Sequence, residues 1–181
     1  RIGAAVARRA AVLGMDVAFH DPHAAPGVEK SLGCARHDTL DGLLPAADVL
    51  SFHCPLTAAT RGLLDRRRVA LMKPGAYVIN TARGGIVDEL ALQEGLRRGH
   101  LAGAGLDAME GEPGVPNRAA LRECQNVVLT PHSAFNSRES FLEARQTAAE
   151  EVLRLLAGAT ARFACDQNGC AVPAEYYTGP D

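Results

Sequence analysis

No apolar run in the chain approaches the roughly 20 residues that a membrane span needs. The amino terminus matches neither a signal peptide nor a transit peptide. Lysine occurs only at Lys30 and Lys73, and the basic residues are scattered apart from Arg66-Arg67-Arg68. With a net charge of -2, the one-sided basic face that binds nucleic acid or an anionic membrane is missing. Five cysteines, Cys34, Cys54, Cys124, Cys165 and Cys170, are odd in number and form no C-x-x-C pair. Neither a disulfide framework nor a zinc site is suggested. Repeats and low-complexity segments are lacking as well. These absences lead to the expectation of a soluble, cytoplasmic protein with structural thiols, no metal and a small-molecule ligand.

What is present is an apolar content of 47% in 181 residues, enough for one sizeable core and too little chain to demand two full domains. The first residue is Arg1 and the chain opens directly into a helical pattern, so a piece of something longer is expected. Ile2, Val6, Ala10 and Leu13 recur at helical spacing, with Gly14 placed to end that helix. The run from Asp16 to His20 reads as a short buried strand. Further helices are expected over 39–47, 66–72 and 88–98, and strands over 49–53, 76–81, 101–107 and 127–130. Short apolar strands alternating with helices predict an α/β, doubly wound parallel sheet, because parallel strands need crossovers and the crossovers are helices. A long helix with a wide apolar stripe is expected over 137–156, followed by an irregular tail.

In such a sheet, ligands bind outside the carboxyl ends of the strands. The polar residues collect there: Asp21, His53-Cys54-Pro55, Thr81-Ala82-Arg83-Gly84-Gly85, Asp107 and Pro131-His132. Asp21 lies about 20 residues beyond Gly3, the spacing at which an acid meets the ribose of a dinucleotide, and there it would favour NAD over NADP. Gly3 would be the last glycine of G-x-G-x-x-G, after Arg1 and Ile2. A strand-ending aspartate is equally a turn former. Arg83 carries a permanent, forked charge suited to a carboxylate; the plainer alternative is a surface arginine paired with Asp88 or Glu89. His132 is either a site residue or a helix-entry histidine near Ser133, and Glu112 either a site acid or a solvated loop acid. Together the three form a complete chemical set. A histidine held by a carboxylate donates a proton near neutral pH, while an arginine fixes an anionic substrate and polarises its carbonyl.

The chain resembles the D-isomer-specific 2-hydroxyacid dehydrogenase family through motifs in order. These are Arg1-Ile2-Gly3, Asp21-Pro22, His53-Cys54-Pro55-Leu56-Thr57 with Thr60, the block from Asn80 to Asp88, Gly105-Leu106-Asp107, Glu112-Pro113 and Thr130-Pro131-His132. The resemblance runs from the first residue to about Gly158. It implies that Arg83 binds the substrate carboxylate and carbonyl, that His132 is the general acid and base, and that Glu112 pairs with it. It implies NAD contacts at Arg1, Ile2, Gly3, Asp21, the loop of Cys54, Pro55 and Thr60, then Thr81, Ala82, Arg83 and Asp107. It further implies a Rossmann-like cofactor domain over 1–133, lacking its first strand, and a return helix and tail over 134–181 belonging to a substrate domain that is mostly missing.

Within the family, His132 to Ser140 and the helix after it are most similar to the C-terminal-binding-protein group, although Phe135 stands where those corepressors carry a tryptophan. The expected activity is hydride transfer between NAD(H) and the 2-carbon of a small 2-hydroxy or 2-keto acid, in a homodimer. An isolated fragment is expected to be inactive, and an NADH-sensing, corepressor-like binding protein is the alternative.

Overall fold

The computed structural model describes residues 2–109, 121–160 and 162. The chain divides into two compact units, Arg1–His132 and Ser133–Asp181.

The first unit alternates helices and parallel strands. Helix α1 (Ile2–Val12) leads to β1 (Ala18–Phe19), α2 (Val28–Leu32), β2 (Ala35–Arg36) and α3 (Leu40–Leu43), which tightens into a 3-10 turn at Leu44–Ala46. There follow β3 (Val49–Phe52), α4 (Arg66–Leu71), β4 (Ala76–Asn80), α5 (Glu89–Arg97), β5 (Leu101–Leu106) and β6 (Val127–Leu129). Strands β1 and β2 pair parallel in a two-stranded sheet, and a second parallel sheet runs β3-β4-β5-β6. The expected α/β class and its parallel strands are therefore observed. The first strand is shorter than the expected 16–20, and the single helix expected over 39–47 splits because Pro45 offers no N–H to continue it.

Helix ends sit where the local chemistry puts them. Gly14 and Gly99 stop α1 and α5 at φ of +84° and +70°, a region that favours glycine. Asp88 caps α5, its carboxylate accepting from the N–H groups of Leu90 and Ala91. Along β4 the buried positions are Ala76, Val78 and Asn80, a period of two that faces these side chains to the core. Leu64, Met72, Ile86, Leu92 and Leu101 complete the centre of that core.

Register is what builds the site. Phe52 pairs with Asn80, Asn80 with Leu106, and Leu106 with Leu129, so four carboxyl ends stand in one row. The residues that follow them, His53, Thr81, Asp107 and Thr130, emerge side by side along one edge of the sheet.

In the second unit, Ser137 caps helix α6 (Arg138–Leu156) in a reciprocal capping box with Ser140. Phe135 and Phe141 meet edge to face at 5.9 Å between centroids. Most of the expected irregular tail lies outside the described residues.

Candidate active site at the carboxyl ends of the strands

The loop after β4 carries Arg83. Its geometry starts from Asn80, the last residue of the strand, whose side chain is buried at 2% exposure. The Asn80 amide donates to the Arg83 carbonyl at 2.9 Å and accepts the Ala82 N–H at 3.1 Å. Farther along, the Gly62 N–H donates to the Gly85 carbonyl at 2.7 Å, and Leu64 and Val87 form a parallel bridge. Gly85 is buried at φ +80°, so the second glycine of the pair is demanded by the turn itself. Thr81 and Arg83 are exposed, with Ala82 half-buried between them. The Arg83 guanidinium donates to the carbonyl of Ala82 at 2.7 Å. Of the two acids in the alternative pairing, Asp88 holds the N–H groups of Leu90 and Ala91 through one carboxylate oxygen at the helix cap, and Glu89 is buried in the first turn.

Asp107 follows β5 and is buried, its main-chain N–H on the Asn80 carbonyl at 2.9 Å. The Thr130 hydroxyl, at the end of β6, donates to the Asp107 carboxylate at 2.5 Å. Two residues on, exposed His132 has φ +54°, the non-glycine residue of positive φ among those described. Such a conformation costs an ordinary residue roughly 1–3 kcal/mol and persists where the surroundings impose it. Glu112, the expected partner of His132, lies outside the described residues, as does Arg1.

Beside the row stand α1 and the loop after β3, where the cofactor contacts are expected. Ile2 opens α1 and is exposed. A Cβ built on Gly3 would lie 3.2 Å from the Cβ of His53, so glycine lets the start of the helix approach the end of β3 closely. Asp21 follows β1, and its carboxylate accepts the His23 N–H at 2.9 Å, so it forms a turn at the position where a ribose acid is expected. Burial pushes the Cys54 thiol above its ordinary range, and the Asp21 charge adds to the rise. The Thr60 hydroxyl donates to the Pro55 carbonyl at 2.6 Å and accepts the Thr57 N–H at 2.7 Å, which folds the loop of Cys54, Pro55 and Thr60 upon itself. Thr60 thus shapes the loop as much as it faces any ligand. These residues suit a dinucleotide: small side chains where a backbone must approach, and an acid at the neighbouring strand end.

Asn80 and Thr130 are site-building residues that motif reading leaves without a role. One signal was available for Asn80: the alternation that buries Ala76 and Val78 continues onto a polar residue.

Comparison with known proteins agrees with this geometry. Residues 1–134 match the model of the D-isomer specific 2-hydroxyacid dehydrogenase, NAD binding domain. The D-3-phosphoglycerate dehydrogenase of Bacillus subtilis is 41% identical over 158 residues, which are 87% of this chain and 30% of that protein. Among solved structures, the D-lactate dehydrogenase of Lactobacillus jensenii with NAD+ superposes with a TM-score of 0.81 at 31% identity, over 92% of this chain and 53% of that one. The D-lactate dehydrogenase of Aquifex aeolicus, complexed with NAD and lactic acid, gives 0.81 at 30% identity over 99% of this chain and 55% of that one. The chain thus spans 30% of the curated relative and about half of each solved one. A parallel sheet with its polar residues ranked along one edge, matched over most of its length by this one model, belongs to the D-isomer specific 2-hydroxyacid dehydrogenase family.

Proposed function

We propose that this chain serves an NAD-dependent oxidoreductase that interconverts a small D-2-hydroxy acid and its 2-keto acid. The observation that carries the reading is the exposed Arg83 guanidinium, held on its own loop beside the ends of the parallel strands. Its fork matches a carboxylate and can polarise the adjacent carbonyl. In this reading His132 gives a proton to the 2-oxygen in reduction and removes it from the 2-hydroxyl in oxidation, with Glu112 holding the imidazole. NAD(H), when bound, supplies or accepts the hydride at the 2-carbon. Ile2, Gly3, Asp21, Cys54, Pro55, Thr60, Thr81, Ala82, Arg83 and Asp107, with Arg1, are the residues proposed to hold it.

The proposed organisation is a cofactor domain over 1–133 and a return helix and tail over 134–181 that belong to a substrate domain. A homodimer in the cytoplasm, without a nucleic-acid partner, is part of the same proposal. In its support, Cys34 and Cys54 are free thiols. Each member of the arginine run also has an acidic partner: Glu94 for Arg66, and Asp41 for both Arg67 and Arg68.

The test is NADH oxidation by the full-length protein against glyoxylate, pyruvate, hydroxypyruvate, phenylpyruvate and 2-ketoglutarate. Arg83→Gln and His132→Gln are expected to lower kcat/KM by about 100- to 10,000-fold while NADH binding survives. Intact NADH binding with no turnover across the panel would sink the enzyme reading and promote an NADH-sensing, corepressor-like one.

A further inference from the structure

We infer that Asn80 is a positioning residue that fixes Arg83 for the substrate carboxylate; this rests on the reading of Arg83 given above. Asn80 is almost wholly buried at the end of β4, on the core face with Ala76 and Val78, yet its side-chain amide bonds to the loop that follows the strand. The ladder between β4 and β5 is formed by backbone groups, with Ile79 on Gly105 and Asn80 on Leu106, and does not use the side-chain amide. That amide is spent on the loop instead. Its nitrogen donates to the Arg83 carbonyl at 2.9 Å and, more weakly, to the Ala108 carbonyl at 3.5 Å. Its oxygen accepts the Ala82 N–H at 3.1 Å.

The Ala82 residue is consequently held from both ends. Its N–H is bound by the Asn80 oxygen, and its carbonyl by the Arg83 guanidinium at 2.7 Å. The guanidinium is therefore referenced to Asn80 through one residue, and the Arg83 main chain is referenced to it directly. A planar group with one acceptor and one donor at this reach is required. Aspartate keeps the acceptor and loses the donor, alanine loses both, and glutamine is one methylene too long. The Asn80 backbone carbonyl meanwhile accepts the Asp107 and Ala108 N–H groups at 2.9 and 3.4 Å, tying the Arg83 loop to the end of β5.

The experiment uses the full-length protein and the fastest keto acid of the panel, paired with its primary amide, pyruvamide for pyruvate. Wild type, Asn80→Asp, Asn80→Ala and Arg83→Gln are compared by kcat and KM for acid and amide, NADH Kd, and thermal midpoint. A misplaced anchor costs about 10- to 100-fold in kcat/KM. That loss is expected for the acid in both Asn80 variants, chiefly through KM, with the amide little changed and NADH Kd within about twofold. The acid-to-amide preference then collapses toward that of Arg83→Gln. If Arg83→Gln itself keeps the preference, the assignment of Arg83 fails, and the inference with it. Should Arg83→Gln lose the preference while a folded Asn80 variant retains it, only the inference is overturned. Equal losses for acid and amide, weakened NADH binding, or unfolding of both variants would also overturn it and leave Asn80 a residue of the fold.

Discussion

His53 closes the gap between the start of α1 and the end of β3, because its Cβ is the group that any side chain at position 3 would strike. The imidazole Nε2 lies 3.0 Å from the Ser51 hydroxyl, and burial pushes its pKa below the ordinary histidine value. The sign of the consequence follows from linkage. The folded state holds this ring neutral, so protonation favours the unfolded chain, whose histidine titrates near about 6.5. Stability from this group is complete above that pH and is lost as pH falls through it toward the lower folded value. Urea midpoints at pH 7.5, 6.5 and 5.5 are expected to fall for wild type more than for His53→Gln, which cannot titrate. Parallel pH dependence in the two proteins would remove His53 as a contributor.

Among the elements, α5 gives the sharpest conflict between local and tertiary preference. Gly95 lies in the last turn of this helix, where alanine is intrinsically better by up to about 1 kcal/mol. The position is buried, and an added Cβ would come within 2.9 Å of Val69 Cγ1 and 3.1 Å of Leu101 Cδ1. Val69 is β-branched and buried in the core, so it yields little. Overpacking of this kind costs about 1–3 kcal/mol, which outweighs the propensity. Gly95→Ala is therefore expected to be destabilised by about 1 kcal/mol in urea unfolding, and a raised midpoint would refute the packing account. A second contact holds α3 to α4: Asp41 accepts from Arg67 at 2.7 Å and Arg68 at 2.8 Å, and these two hydrogen bonds hold its carboxyl down to about 2. Helices were legible in the sequence where their ends have chemical signatures, as at Gly14, Asp88, Gly99 and Ser137. By contrast, α2 and β2 were not, since five helical residues and a two-residue strand are too short to establish a period. The site divides in the same way. Strand-end polar residues such as Arg83 and Asp107 stood out against apolar runs. The roles of Asn80 and Thr130 depend on partners that folding alone supplies, 28 residues away at Ala108 and 23 away at Asp107.

For the whole molecule, the question is what these 181 residues can do alone. Solved relatives are about twice as long as the part this chain matches. Within Arg1–His132, α1 buries no residue, and Ile2, Val12 and Leu13 are exposed at 69%, 87% and 81%. The pair β1-β2 forms a sheet separate from β3-β4-β5-β6, so the two halves of the proposed NAD crevice are not joined by a continuous ladder. In the other unit, α6 exposes Leu142, Val152, Leu153 and Leu156 along its length. Exposed apolar groups on this scale favour burial against further protein surface. Catalysis by proximity needs the keto acid held in a fixed place, and an error of about 1 Å costs roughly 100-fold. A carboxylate bound by Arg83 alone, facing water, lacks that constraint. The isolated chain is therefore expected to bind NADH weakly and to show no keto-acid-dependent NADH oxidation under conditions in which the full-length protein turns over. Titration of NADH fluorescence and the same five-acid panel decide the matter. Turnover by the isolated chain within about tenfold of the full-length rate would mean that Arg83 and His132 need no second wall from the rest of the protein.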